Sequence, residues 1–354
     1  FFNIHKAITN LLSGVADYIN KQNIEAKIIK VGGDNQDILF EMDNASYIKS
    51  IKDFKPLEAL CLGGTAWSFS NNSVKDTFDY LFIDEAGQVS IANLIAMSQS
   101  CKNIILMGDQ MQLGQPLQGS HPGQSSQSIL EYLLEDKAII ADDIGIFLPI
   151  TYRMHPDICR VISDQVYEGK LQSDITTSKH VLKVKSNIIK QNSGICYIST
   201  NHEGNTQGSN EEVSKIKNIA HDLLNTEYWP DTNGKKRYIG WQDMLFVAPY
   251  NYQVTKLQSA LGNLAQVGSI DKFQGQEAPI VILSMCASNA SETPRGIDFL
   301  FSKNRLNVAI SRSQSLAIIV GNTNLAFTPA TNLKQMELIN FYCKLIFNEK
   351  NIIV

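Results

Sequence analysis

The chain has 354 residues, 44% of them hydrophobic and 19% charged, with a net charge of −4. That is the makeup of an ordinary globular protein with room for two domains, not of a strongly basic nucleic-acid module or a disordered tail. No apolar stretch reaches the roughly 18–20 residues that span a bilayer, no secretory signal opens the chain, and the six scattered cysteines show no ligand spacing, which argues for a reducing, cytoplasmic or nuclear setting.

Taken in order, HKAITNLLSGVADYI (5–19) places Ile8, Leu11, Leu12, Val15, Tyr18 and Ile19 at helical spacing. YLFIDEAGQVS (80–90) runs Leu81, Phe82 and Ile83 straight into Asp84 and Glu85. A short apolar run ending in paired acids predicts a buried parallel strand that delivers carboxylates to the rim of a sheet, where open α/β sheets bind ligands. A second buried strand is predicted at 103–107 (NIILM), ending at Gly108-Asp109. A helix follows near 125–134, and ADDIGIFLPI then leads into a new block.

That block holds strand candidates at 195–199, 244–248, 279–285 and 315–320. Before the second of these, SNEEVSKIKNIAHDLL opens with Ser209 and Glu212 in capping-box spacing. Alternating strands and helices predict an α/β fold of mainly parallel sheets in two domains, 1–147 and 148–354. Polar loops fall at 114–127, 200–210 and 230–237.

Several residues could carry phosphoryl-transfer chemistry, which needs charge neutralisation around the phosphates and an orienter for the attacking water. Asp84 and Glu85 can divide those tasks, and Gln112 of GDQMQLGQP (108–116) can hydrogen-bond a water or a phosphate oxygen. Tyr152 and Arg153 of LPITYRMHPDICRVIS offer a stacking face beside a guanidinium fork. Glu277 sits in a glycine-containing turn before a strand, and Arg305 and Arg312 lie seven residues apart, near one helical face. Singly, each could be a polar loop or a salt-bridged surface residue.

The ordered set DEAG, GDxxQL, YRMHP, APYNxQV, DKFQGQE and NRLNVAISR resembles the superfamily 1 helicases. The likeness is to the branch holding the nonsense-mediated-decay RNA helicase and related DNA helicases, and it runs to about residue 321. It implies two RecA-like domains of the P-loop NTPase type, ATP in the cleft between them, and single-stranded DNA or RNA across the top, traversed 5′→3′. By resemblance Asp84 holds Mg2+, Glu85 activates water, Gln112 senses the γ-phosphate, and Arg153 and Arg312 are arginine fingers. Tyr152 would stack on adenine, Glu277 would bind the ribose, Gly275 and Gln276 would shape that turn, and Arg305 is grouped with them.

GGTAWSFS (63–70) resembles a strand-contacting segment, with Thr65 on the sugar–phosphate backbone and His5 and Lys6 nearby; Trp67 is expected in the core. Two departures stand out. Ser269 replaces the usual Thr of its motif, and no GxxxxGK[ST] occurs: GKLQ (169–172) and GKKR (234–237) lack the upstream glycine and the Ser/Thr. In the family that loop precedes the first helix, so the expectation is a fragment truncated ahead of Phe1 and inactive alone. The resemblance also allows an upstream RecB-like nuclease domain. The alternative is a non-catalytic nucleic-acid- or partner-binding module derived from a helicase; the intact set Glu85, Gln112, Arg153 and Arg312 favours an enzyme. No reader of a 2′-hydroxyl can be named, so DNA and RNA stand as equal candidates.

Overall fold

The computed structural model describes residues 2–35, 38–56, 60–114, 119, 122–135, 137–229, 235–273 and 275–347. Gln115 and Pro116 of GDQMQLGQP, Gly234 of GKKR, Gln274 of DKFQGQE and parts of the polar loops 114–127 and 230–237 lie outside the described residues. The chain divides into two compact units, Phe1–Gln110 with Gly114–Glu135, and Met111–Leu113 with Asp136–Val354.

In the first unit, helix α1 (Phe2–Gln22) leads to strand β1 (Lys27–Val31), followed by β2 (Ala45–Ile48) and β3 (Leu60–Gly63). These pair in parallel in the order β2-β1-β3. Leu12, Ala16 and Ile19 of α1 bury against Ile28 and Leu39, while Leu11 and Tyr18 of the expected stripe point to solvent. The other sheet face buries Ile29, Val31, Ile51, Phe54 and Val74. Next come α2 (Ala66–Phe69), β4 (Phe78–Ile83), α3 (Ile91–Ser98), β5 (Cys101–Leu106) and α4 (Ile129–Leu134), the last opened by a complete Ser128–Glu131 capping box.

Strands β4 and β5 pair in parallel, Phe82 opposite Ile105. They do not meet the expectation of burial on both faces. Leu81 and Ile83 are buried, but Tyr80 and Phe82 are more than half exposed and Ile104 and Ile105 more than a third. An apolar run cannot reveal how many of its faces are covered; neighbouring elements decide that.

The second unit begins with β6 (Ile150–Thr151), α5 (Pro156–Val166), β7 (Gln172–Ser173), β8 (Val181–Lys183), β9 (Gly194–Ser199) and α6 (Asn210–Leu223). It continues with β10 (Glu227–Trp229), β11 (Arg237–Tyr238), β12 (Met244–Val247), α7 (Asn251–Leu261), β13 (Gln266–Gly268) and β14 (Ala278–Ser284). Helices α8 (Gly296–Leu300) and α9 (Lys303–Ser311), strand β15 (Ser313–Gly321) and helix α10 (Leu333–Ile346) complete it. Five strands form one parallel sheet in the order β13-β12-β14-β15-β9, and all four strand candidates of the second block fall in it.

Successive side chains of a strand point to opposite faces, so a continuous apolar run needs cover on both. Leu245, Val247, Val281, Leu283, Ala317 and Ile319 pack with Ile158, Ile162, Ile310 and Leu345 of α5, α9 and α10. Met244, Phe246, Ile280, Ile282 and Ile318 pack with Ile216, Leu223 and Leu257 of α6 and α7.

The units part at Glu135/Asp136 rather than at 147/148. Ile139 and Phe147 pack on the second unit's core, as do Met111 and Leu113, so the segment read as a junction belongs to the second unit.

The predicted capping box at α6 is only half made. Ser209 Oγ accepts from Glu212 N at 3.1 Å, but the Glu212 side chain turns inward. Its Oε1 lies 3.0 Å from His202 Nε2, and its Oε2 accepts from Ser284 Oγ at 2.5 Å and from Cys286 N at 2.9 Å. His202 Nδ1 meets Ser288 Oγ at 2.7 Å, and the His202 and Glu212 side chains are fully buried.

Candidate active site

In the first unit the end of β4 turns sharply. Glu85 adopts φ +53°, a left-handed conformation costly for a residue with a Cβ. Its N–H donates to Asp84 Oδ1 at 2.9 Å, and Gln88 Nε2 reaches Glu85 Oε2 at 3.4 Å. Both carboxylates face solvent. The loop after β5 lies directly against this turn, because Ala86 N donates to Met107 O. A Cβ on Gly87 would stand 2.8 Å from Asp109 O, and one on Gly108 would stand 2.8 Å from Ala86 N. The glycines of DEAG and GDQ are what let the two loops touch. Adjacent exposed carboxylates match what magnesium takes from a protein, one or two acids with phosphate oxygens completing the shell; among the described residues no cluster of three or more metal-ligating side chains exists.

In the second unit, Arg153 Nε donates to Glu277 Oε2 at 2.5 Å and its Nη1 reaches Ser311 O at 3.4 Å. Gln314 Nε2 holds the other Glu277 oxygen at 2.9 Å. Glu277 immediately precedes β14 and Gln314 is the second residue of β15, so the group lies at the amino edge of the five-stranded sheet. Tyr152 beside it is 71% exposed, a free stacking face. Arg312, 5% exposed at the end of α9, extends Nη2 to Gln112 Oε1 at 3.4 Å. The Gln112 segment is fastened by Asn304 Nδ2 to Gln112 O at 2.7 Å and by Asn307 Nδ2 to Met111 O at 2.9 Å. The structure thus brings together Arg153 with Glu277, and Arg312 with Gln112. Gly275 has φ +74° and, like Gln276, is exposed in the turn before Glu277.

Arg305 stands apart from them. It lies near the start of α9, two helical turns from Arg312, pairs with Asp271 at 3.3 Å and places its guanidinium 4.4 Å from the Phe299 ring centre. Asp271 follows β13, at the carboxyl edge of the sheet. Seven residues of helix span about 10 Å, which carries the two arginines to opposite edges.

At the carboxyl edge of the first unit's three-stranded sheet, His5 packs on Gly33, where a Cβ would come within 2.7 Å of His5 Nδ1. Lys6 is exposed, and Thr65 opens α2 without a side-chain cap bond. Trp67 corrects the sequence reading: it is 82% exposed, not core. Its neighbours Ser68 and Phe69 are the buried residues of α2, Phe69 lying edge-on to Phe78 at 5.9 Å, and a four-residue helix that anchors two side chains turns the third outward. The missed residues are Asn304 and Asn307, whose backbone-directed bonds have no sequence signal beyond their place in NRLNVAISR.

Burial alone would raise the Glu277 pKa, but the hydrogen bond and charge of Arg153, with Gln314 and His180, hold it below its ordinary value near 4.5. A lowered carboxylate stabilises the fold above its unfolded-state pKa and loses that contribution as pH falls through the folded-state value. Thermal melts of the wild type and Glu277→Gln should therefore differ near neutral pH and converge as the pH falls through the lowered folded-state pKa of Glu277. A constant gap across that range would show that the pair does not set the acid limb.

Two units of parallel α/β structure, one presenting paired acids at a strand end and the other arginines at a sheet edge, make up a RecA-like, P-loop NTPase-type helicase core. An AAA-domain family model matches residues 58–116 and a second AAA-domain model matches residues 125–324. The chain belongs to this second AAA-domain family, within the Upf1-like branch of the superfamily 1 helicases. It is 29% identical over 257 residues to the ATP-dependent helicase upf1 of Schizosaccharomyces pombe, 70% of this chain and 27% of that protein. The DNA polymerase alpha-associated DNA helicase A of the same yeast is 30% identical, over 70% of this chain and 37% of its own length. The regulator of nonsense transcripts 1 homolog of Drosophila melanogaster is 29% identical, over 75% and 22%. The chain spans 22–37% of the length of these relatives. Among solved structures, an arterivirus nonstructural protein 10 helicase in complex with DNA aligns with a TM-score of 0.42 at 14% identity, over 92% of this chain and 59% of that one.

Proposed function

We propose that this chain is the motor core of an intracellular ATP-dependent helicase or translocase that moves 5′→3′ along single-stranded DNA or RNA, hydrolysing ATP with residues drawn from both units. The observation that carries the reading is the pair of arginine contacts in the second unit, Arg153 on Glu277 and Arg312 on Gln112. Both guanidiniums are pre-positioned on polar partners that a nucleotide can replace or share.

Tyr152 takes the adenine face, and Glu277, steadied by Gln314, accepts from the ribose hydroxyls. Gly275 at positive φ lets the turn present Gln276 and Glu277 together. Arg153 and Arg312 stabilise the charge that develops on the γ-phosphate, an effect worth about 10³–10⁵ in rate for arginine fingers. Gln112, touching Arg312, couples that guanidinium to the attacking water. Glu85 takes the proton of that water, and the strained turn that carries it fixes its aim. Magnesium, when bound, would neutralise phosphate charge, with Asp84 as its protein ligand.

Strand contact falls to His5, Lys6 and Thr65, and the exposed Trp67 joins them as a stacking face. Backbone contacts suit a motor that must ignore sequence. Titrating oligo-dT or oligo-U into the chain should quench tryptophan fluorescence, and Trp67→Phe should remove most of the quench. The affinity should fall steeply as salt rises. Tight, salt-insensitive binding of one particular sequence would replace the motor reading with that of a specific binder.

A further inference from the structure

Tyr228 belongs to none of the six motifs, and Gln314 falls two residues beyond the last of them. Their side chains stand in line behind Glu277. We propose that Tyr228, acting through Gln314, sets the preference of the candidate site for ribonucleotides over deoxyribonucleotides, both being positioning residues. The proposal rests on the reading of Glu277 as the ribose acceptor and deepens it.

A carboxylate has about four lone-pair positions, two on each oxygen. Glu277 commits one on Oε2 to Arg153 Nε at 2.5 Å and one on Oε1 to Gln314 Nε2 at 2.9 Å. Its side chain is 44% exposed, which leaves lone pairs to accept from a ligand. Two acceptors at fixed spacing suit two donors at fixed spacing, and the 2′- and 3′-hydroxyls of a ribose are such a pair. A deoxyribose offers one donor and leaves the second oxygen unmatched. Discrimination therefore depends on how firmly the carboxylate plane is held. Arg153 is also assigned to phosphate charge, so Gln314 goes on holding the carboxylate while Arg153 is engaged elsewhere.

Gln314 does this in one orientation. With its NH2 toward Glu277 the amide donates; turned over, it would set amide oxygen against carboxylate oxygen at hydrogen-bond spacing. Tyr228 fixes the choice. Its hydroxyl donates to Gln314 Oε1 at 3.0 Å, which sends the NH2 to the carboxylate. The Gln314 backbone is tied as well, its carbonyl accepting from His155 N at 2.8 Å.

The tyrosine is itself fixed. It is fully buried, the central residue of β10, with Leu182 of β8 opposite on one side and Arg237 of β11 on the other. The Arg237 guanidinium lies 5.1 Å from the Tyr228 ring centre and pairs with the buried Asp243, whose Oδ2 accepts from Gly240 N at 2.9 Å. The His180 ring stands 6.4 Å from the Tyr228 ring, with its Nδ1 3.3 Å from Arg153 O. A small antiparallel sheet thus reaches the amino edge of the five-stranded sheet and ends on the ribose acceptor. Burial would raise the Glu277 carboxyl, and the Arg153 and Gln314 hydrogen bonds, with the Arg153 charge, hold it below its ordinary value.

The test measures binding of ATP, 2′-deoxy-ATP and 3′-deoxy-ATP to the 354-residue chain by saturation-transfer difference NMR, which reads weak affinities. Circular dichroism melts confirm that each variant folds. The wild type should prefer ATP by about tenfold, the usual worth of a hydrogen bond to a charged group. Glu277→Gln should lose that preference. Tyr228→Phe and Gln314→Met should each bring the three nucleotides within about threefold of one another, chiefly by weakening ATP. Adding Tyr228→Phe to Gln314→Met should change the ratio no further, because one acts through the other. Gln314→Met should also move the Glu277 carboxyl back up toward its ordinary value, read by carbon-13 NMR of labelled glutamate.

A preference lost in Glu277→Gln but intact in folded Tyr228→Phe overturns this inference alone. Equal weakening of all three nucleotides in Tyr228→Phe, with the ratio kept, makes the contact a structural tie and overturns it too. If the wild type shows no preference for ATP, or Glu277→Gln keeps it, the ribose reading of Glu277 falls and this inference with it.

Discussion

Phosphate release by the 354-residue chain is expected to stay at background whether single-stranded DNA or RNA is added or not. A triphosphate brings about four negative charges, and Asp84 and Glu85 meet it with none to offset them. Backbone N–H groups of a glycine-rich loop and its lysine normally hold the β- and γ-phosphates, and the loop's Ser/Thr hydroxyl completes the magnesium shell. No GxxxxGK[ST] occurs in this sequence. Arg153 and Arg312 can attract phosphate and Tyr152 can stack on adenine, so weak nucleotide binding is expected without productive in-line geometry.

Supplying a strand–loop–helix segment that carries GxxxxGK[ST] ahead of residue 1 should switch stimulated turnover on. In that extended chain Glu85→Gln should lower it by about 10²–10⁴ while nucleotide still binds, because the side-chain shape survives and the base does not. Robust stimulated turnover by the 354-residue chain would mean that another segment cradles the phosphates. Full activity of Glu85→Gln would remove Glu85 from the chemistry.

The second large effect concerns stability. Glu212→Ala should lower the unfolding free energy of the second unit by about 3–5 kcal/mol, the usual cost of removing one partner from a buried polar group. The substitution strands the His202 ring, the Ser284 hydroxyl and the Cys286 amide in a region with no access to water. Ser284→Ala removes one donor and leaves the rest, and should cost about 1 kcal/mol. Urea unfolding reads both as midpoint shifts at constant slope. A Glu212→Ala loss below that of Ser284→Ala would show that the carboxylate does not organise the network. These residues tie the loop after β9, the start of α6 and the end of β14 together.

The fold class and the strands of the second unit were legible because the physics is local. Runs such as MLFV and PIVIL are short and apolar at every position, which marks them as strands, and Gly108 and Gly275 mark places where the chain must turn closely or at positive φ. The motif order likewise lies along the chain, where no tertiary information is needed to read it.

Whatever depended on neighbours distant in sequence was decided by tertiary structure alone. Phe82 and Ile105 read as buried but are exposed, since cover is supplied by other elements. Trp67 read as core, but the anchoring of Ser68 and Phe69 turned it outward. Glu212 stands at cap spacing, yet hydrogen-bond partners 10, 72 and 74 residues away claimed its side chain. Arg305 and Arg312 share a helix, but that helix crosses the sheet from one edge to the other and hands them to different surroundings. Sequence therefore determined which chemical groups this protein owns and the local geometry of its strands and turns. The tertiary structure decided which groups meet, because hydrogen bonds and burial act over a few ångströms of space and are blind to separation along the chain.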